Sequence, residues 1–191
     1  MTTLIEVVNS LFGARVSGSP GRSMSALGDG AIHLEFPEDD HVYLVTVRQI
    51  PRTVLPLDRP VALGELAGVP FQLVRVAVAN HVEVTLDAAA GPARDAALGA
   101  YQQLFRQWEQ DGDVDRHPPA WPAEQLRAVP STVSDDVGTV YRFQSGEAGG
   151  PGTEFRARSN YLPTPPAGAT ALSLRFTPRD GAPVEVELPL P

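Results

Sequence analysis

The chain has 191 residues, 42% of them hydrophobic and 20% charged, with a formal net charge of −8. That mixture suits a folded globular chain of single-domain length, and the acidic balance argues against a nucleic-acid partner, whose phosphates need cationic contacts. The absence of cysteine excludes disulfides, zinc–thiolate sites, iron–sulfur clusters and cysteine nucleophiles. Positive charge is carried by arginine, with no basic run that could form a patch against the net sign.

At the N-terminus, Leu4, Val7, Val8 and Leu11 fall at helical spacing behind Thr3 and Glu6, which have the form of a capping box, so a short N-terminal helix is expected. The same segment has no basic n-region and is interrupted by Glu6 and Asn9. It does not read as a signal peptide, and no apolar window reaches the ~18 residues of a membrane span. A cytoplasmic chain that does not engage a membrane is expected. Residues 13–30 are rich in glycine and serine and read as a flexible arm, so 1–30 is taken as a helix plus arm.

From Ala31 the period becomes two. Ile32, Leu34 and Phe36 alternate with His33 and Glu35, the turn residues Pro37-Glu38-Asp39-Asp40 follow, and 42–47 supplies a second strand of a hairpin. A second strand pair spans 71–79 and 81–87 with its turn at Asn80. After Gly91 and Pro92 a helix is predicted over about 92–111, with Leu98, Tyr101, Phe105 and Trp108 as its apolar stripe and a stop at Gly112. The stripe reads as packed on a sheet, or else as an exposed aromatic binding face. Pro118, Pro119, Pro122 and Pro130 exclude another long helix. Alternating runs at 139–144, 153–158, 171–177 and 183–188 then predict strands, with 145–152 as a glycine-rich hairpin loop. The sum is a mainly β chain, a single antiparallel β-sandwich domain over 1–191 carrying one inserted amphipathic helix.

The C-terminal third carries Asp135-Asp136-Val137-Gly138-Thr139-Val140-Tyr141, then Tyr161-Leu162-Pro163-Thr164-Pro165-Pro166, then Leu172-Ser173-Leu174 before Val184-Glu185-Val186. Residues 133–191 resemble the last strands of bacterial immunoglobulin-like sandwich domains, as in anti-sigma-factor-like proteins. The resemblance implies an immunoglobulin-like topology and no catalytic residues. The chain departs from that family by the 92–111 helix and by lacking a membrane anchor.

Two constellations have the residue types of a metal site. His33 with Glu35 and His81 with Glu83 lie on the polar sides of two predicted strands, and adjacent strands would join their imidazoles and carboxylates. A solvated strand face accounts for the same residues. Asp111, Asp113 and Asp115 have the spacing that opens a calcium loop, but Arg116 stands where that loop needs glycine and Pro122 where it needs glutamate. An acidic helix-ending turn accounts for them as well. Residues 18–23 faintly resemble a phosphate loop, but Val16 stands where that motif needs glycine and Arg22 where it needs lysine, and neither a Gly-x-Ser-x-Gly elbow nor a His-Glu-x-x-His motif occurs. The reading is a non-enzymatic protein-interaction or assembly module with no cofactor, whose partner is another protein or a second copy of itself. The alternatives are a metal- or ligand-binding enzyme domain built on the His-x-Glu pairs, and a structural subunit of a larger particle.

Overall fold

The computed structural model describes the backbone of strands β1 (Ser23–Ala26), β2 (Ala31–Glu35) and β3 (Val42–Thr46), and residues 50–112, 117–149, 155–179 and 181–191 in full. The chain divides into two compact units, Met1–Gln49 and Ile50–Pro191. The expected N-terminal helix lies outside the described residues.

In the first unit, β1, β2 and β3 form an antiparallel sheet in that order. The β2–β3 pair is the predicted hairpin, with Glu35 opposite Val42. Within the segment 13–30 that reads as a flexible arm lies β1, in which Ser23 to Ala26 pair with Glu35 to Ile32. Serine and alanine carry little strand propensity, so pairing and not composition makes this strand.

The second unit contains two antiparallel sheets around one core. The larger has the order β4 (Thr53–Val54), β6 (Val69–Val78), β7 (Val82–Ala88), β10 (Arg156–Leu162), β9 (Arg142–Ala148), with β5 (Val61–Leu66) also on β6. The smaller has the order β12 (Val184–Pro189), β11 (Ala171–Phe176), β8 (Ser131–Asp135). Phe71, Leu73, Val76, Val82 and Val84 of the larger sheet share a core with Leu172, Leu174 and Phe176 of β11. The hydroxyls of Ser131 on β8 and Tyr161 on β10 are hydrogen-bonded to each other, which ties the sheets together at the edge of that core. The chain is thus mainly β, with antiparallel sheets and one main helix.

That helix, α1 (Pro92–Asp111), starts with proline in its first turn and ends at Gly112 in the left-handed conformation, as its sequence dictates. It buries no residue fully. Ala97 and Leu98 lean on the core, and further along Tyr101 meets Trp121 edge-on at 4.4 Å. Trp121 precedes the single turn α2 (Glu124–Arg127), whose Leu126 is buried in the core.

β5 and β6 are joined by Ala67 and Gly68 at φ 49° and 78°, the pair of positive values a two-residue type I′ hairpin requires. Among the described residues the larger sheet has three register shifts, one of them in β5 between Ala62 and Gly64, and the other two set the faces on either side of β7 and β10. Phe71 and Leu73 face the core, but the register slips between Leu73 and Arg75, so Arg75 stands opposite Thr85 on the outer face while Val76 returns to the core. A second slip between Asn160 and Tyr161 of β10 leaves Ser145 and Glu147 of β9 on the outer side and Phe143 beside Tyr161 on the core side.

Candidate functional site

β7 is buried along its whole length, although three of its seven residues are polar. Val82, Val84, Leu86 and Ala88 enter the core, and Glu83, Thr85 and Asp87 point to the opposite face. A buried carboxylate persists only where cations and hydrogen bonds replace its water, and arginines supply them here. The Glu83 side chain, 3% exposed, has Arg75 at 3.3 Å, Arg52 at 3.4 Å and Arg158 at 3.7 Å. Arg156 donates to Asp87 through Nε at 3.1 Å and Nη2 at 3.0 Å, and Arg94 from the first turn of α1 lies 3.8 Å from the other oxygen. Arg158 also reaches Glu147 at 2.8 Å. Register explains the convergence: Arg158 and Arg75 flank Thr85, and Arg156 faces Asp87.

The polar side of β7 therefore differs from the solvated strand face that its alternation suggests. Long arginine side chains cover it, their stems lying over the strand while their heads stay wet. Within the cover, Thr85 Oγ1, Asp87 Oδ1 and Arg158 Nε have no hydrogen-bond partner.

The two His-x-Glu pairs belong to different units of the chain. Glu83 is held by three guanidinium groups, and His81 Nδ1 lies 2.7 Å from Asn80 Oδ1. His33 and Glu35 are on β2 in the other unit, and their side chains fall outside the described residues. Asp111 is the exposed last residue of α1, and Asp113 and Asp115 are outside the described residues. Among the described residues no group of three or more histidines and carboxylates could hold a metal ion. A cleft of about 410 Å³, with Leu57, Asp58, Arg59, Val61, Val186 and Glu187 on its walls, sets no nucleophile against a base.

A second feature lies where the C-terminal resemblance begins. The Asp135 carboxylate accepts hydrogen bonds from the Val137 N–H at 3.2 Å, the Thr139 N–H at 2.8 Å and the Tyr141 hydroxyl at 2.9 Å. Asp136 accepts from the Thr170 N–H at 3.0 Å, tying the loop to the start of β11. With its carboxylates bonded to its own backbone and to Thr170, this β8–β9 loop leaves Val137 and Val140 more than half exposed, Val140 at 72%, as is Phe143 at the start of β9. Residues 139–141, predicted as strand, belong to the loop, and 145–148, predicted as hairpin loop, belong to β9.

No family model and no curated protein matches this chain. A crystal structure of the conserved domain protein from Bacillus anthracis is similar to it at 13% identity and a TM-score of 0.33, covering 84% of this chain and 58% of that one. The chain spans 58% of that structure's length. No helix among the described residues is long and apolar enough to cross a membrane.

The loop carboxylates give the protein an acid limit. Desolvation is the largest single influence on Asp135 and raises its pKa, yet the bonds from Thr139, Tyr141 and Val137 together outweigh it and hold the carboxyl below its ordinary value. The bonds from Thr170 do the same for Asp136. Since the folded values lie below the unfolded one, the stabilisation is complete above about pH 4 and is lost as the pH falls through the folded values. Melting temperature measured against pH should therefore drop below about pH 4, and Asp135→Asn should start lower at neutral pH and fall less steeply. An unchanged acid slope in that variant would remove Asp135 as its cause.

Proposed function

We propose that this chain is a non-enzymatic interaction and assembly module that binds a second copy of itself along the edge of β9 that no other strand among the described residues pairs with. The observation that carries this reading is the exposure of Val137 and Val140 on a hydrogen-bonded loop, next to the half-exposed Phe143 on an edge strand of the larger sheet. Such an edge offers unpaired backbone groups, and a locked loop loses little entropy on docking. The strand's own sequence fits self-pairing. Antiparallel and centred between Gln144 and Ser145, two copies of β9 place Arg142 opposite Glu147 twice and Phe143 opposite Gly146 twice. The faces agree, since the bulge leaves Arg142 and Glu147 on one side of the sheet and Phe143 and Gly146 on the other. Phe143 already lies over Gly146 within one chain, where an added Cβ would meet the ring at 3.3 Å.

The immunoglobulin-like reading of 133–191 belongs to this proposal. It is supported by the path of the chain from β8 in the smaller sheet to β9 and β10 in the larger and back to β11 and β12. A scaffold of that kind displays loops and edges and needs no catalytic group.

Sedimentation velocity over a concentration series tests the proposal. The full chain should form a dimer, Val140→Asp should weaken it, and Arg142→Glu should weaken it about tenfold by setting like charges opposite each other at two symmetric positions. Adding Glu147→Arg to Arg142→Glu should restore association. A wild-type chain that stays monomeric at every concentration reached, or a charge swap that rescues nothing, would sink the β9 register.

A further inference from the structure

We propose that the outer face of β7 is a binding site for a doubly charged oxyanion, held between Arg75 and Arg158 above Thr85. The chain carries a net charge of −8, yet on this face five guanidinium groups, those of Arg52, Arg75, Arg94, Arg156 and Arg158, stand against the carboxylates of Glu83, Asp87 and Glu147. Among the described residues two positive charges are left over in this cluster, where the carboxylates of Glu83 and Asp87 are already occupied. Arginine is suited to the missing anion, since its planar fork of N–H donors matches the oxygens of phosphate and carboxylate alike.

Two donors at the centre of the cluster are unused. The Thr85 hydroxyl, on a residue 4% exposed, has no hydrogen-bond partner, and Arg158 Nε, ion-paired with Glu83 at 3.7 Å, makes no hydrogen bond either. Buried donors are almost always satisfied, and these two belong to residues directly opposite each other in the β7–β10 register, with Arg75 on the other side of Thr85. An oxyanion lodged there takes the Thr85 O–H, the Arg158 Nε–H and the outward N–H groups of Arg75. Glu147, 69% exposed, is the one carboxylate on Arg158 free to move to solvent as the anion arrives. The ligand is either a free phosphate-type dianion or a pair of carboxylates on an acidic protein segment.

The test titrates the full chain with inorganic phosphate against chloride at matched ionic strength. The readouts are the Nε–Hε NMR resonances of Arg75 and Arg158 and the melting temperature. Phosphate should move both resonances saturably and raise the melting temperature, and chloride should do neither. Arg75→Gln with Arg158→Gln should weaken phosphate binding about tenfold or more. Thr85→Val keeps the shape and removes only the unpartnered hydroxyl, so it should fold with an unchanged or higher melting temperature and still bind several-fold more weakly. A short glutamate peptide titrated in parallel separates the sources: tighter phosphate binding assigns the site to a free dianion, tighter peptide binding to an acidic segment. Val140→Asp, which acts on the edge of β9, should bind as the wild type does. Resonances that respond equally to phosphate and chloride, or a Thr85→Val protein with undiminished phosphate binding, would overturn the site.

Discussion

Phe176→Ala is expected to destabilise the second unit by about 3–5 kcal/mol, the range for removing a large aromatic from a packed core. Phe176 is 0% exposed, and β11 is the central strand of the smaller sheet, bonded to β12 on one side and to β8 on the other. A strand held on both sides cannot move to fill a vacated volume, so the cavity stays open. Domains of this size are stable by only about 5–15 kcal/mol, which makes the loss a large share of the total. Urea denaturation should show a lower midpoint with an unchanged slope. Val140→Asp, at an exposed site, should fall within about 0.5 kcal/mol of wild type on the same assay. A loss below about 1 kcal/mol for Phe176→Ala would mean that the two sheets do not close on this side chain.

The elements legible in the sequence are those whose local signals and tertiary roles agree. Pro92 and Gly112 bracket α1, and the alternation at 31–36 and 42–47 marks a hairpin because both strands keep a strict period of two. Where a bulge breaks that period, the pattern misleads. Phe71, Leu73, Arg75 and Ala77 share a parity in sequence, yet Arg75 lies on the opposite face from Leu73 because the register slips between them. β5 was hidden by Gly64 inside it and by a turn built from Ala67-Gly68, which lacks the usual asparagine. β8 is short and rich in serine and threonine, and only its place against β11 makes it a strand.

The candidate site was half legible for the same reason. The alternation of Glu83, Thr85 and Asp87 marks a polar face, and polarity suggests solvent. What covers that face comes from Arg52, Arg75, Arg94, Arg156 and Arg158, scattered over more than a hundred residues of sequence and gathered by two strand registers and the first turn of α1. A covered polar strand leaves one signal in a sequence: isolated arginines in otherwise apolar strands. Here that signal sits at Arg75 alone, since Arg158 shares the polar strand β10 with Arg156, Ser159 and Asn160, and only the pairing of strands tells which carboxylate each arginine will meet.

Glu83→Gln tests the energetic weight of that gathering. The substitution keeps the shape of the side chain and deletes one negative charge, leaving three guanidinium groups within 4 Å of a neutral amide. Breaking a fully buried ion pair from one side costs about 3–5 kcal/mol, because the remaining charge has lost both water and partner. The arginine side chains here are between 34% and 48% exposed, so their charges stay partly hydrated and a loss of about 2–3 kcal/mol is expected. Added salt should return some of it by screening the repulsion among the arginines, more than it changes the wild type. Coupling gives the sharper measurement. If Arg75 and Glu83 act as one unit, Arg75→Gln in the Glu83→Gln background removes a surplus cation, so the double variant should be more stable than the sum of the single losses predicts. Additive losses within about 0.3–0.5 kcal/mol would mean that the two side chains are neighbours without being partners, and that Arg52 and Arg158 alone compensate the buried charge.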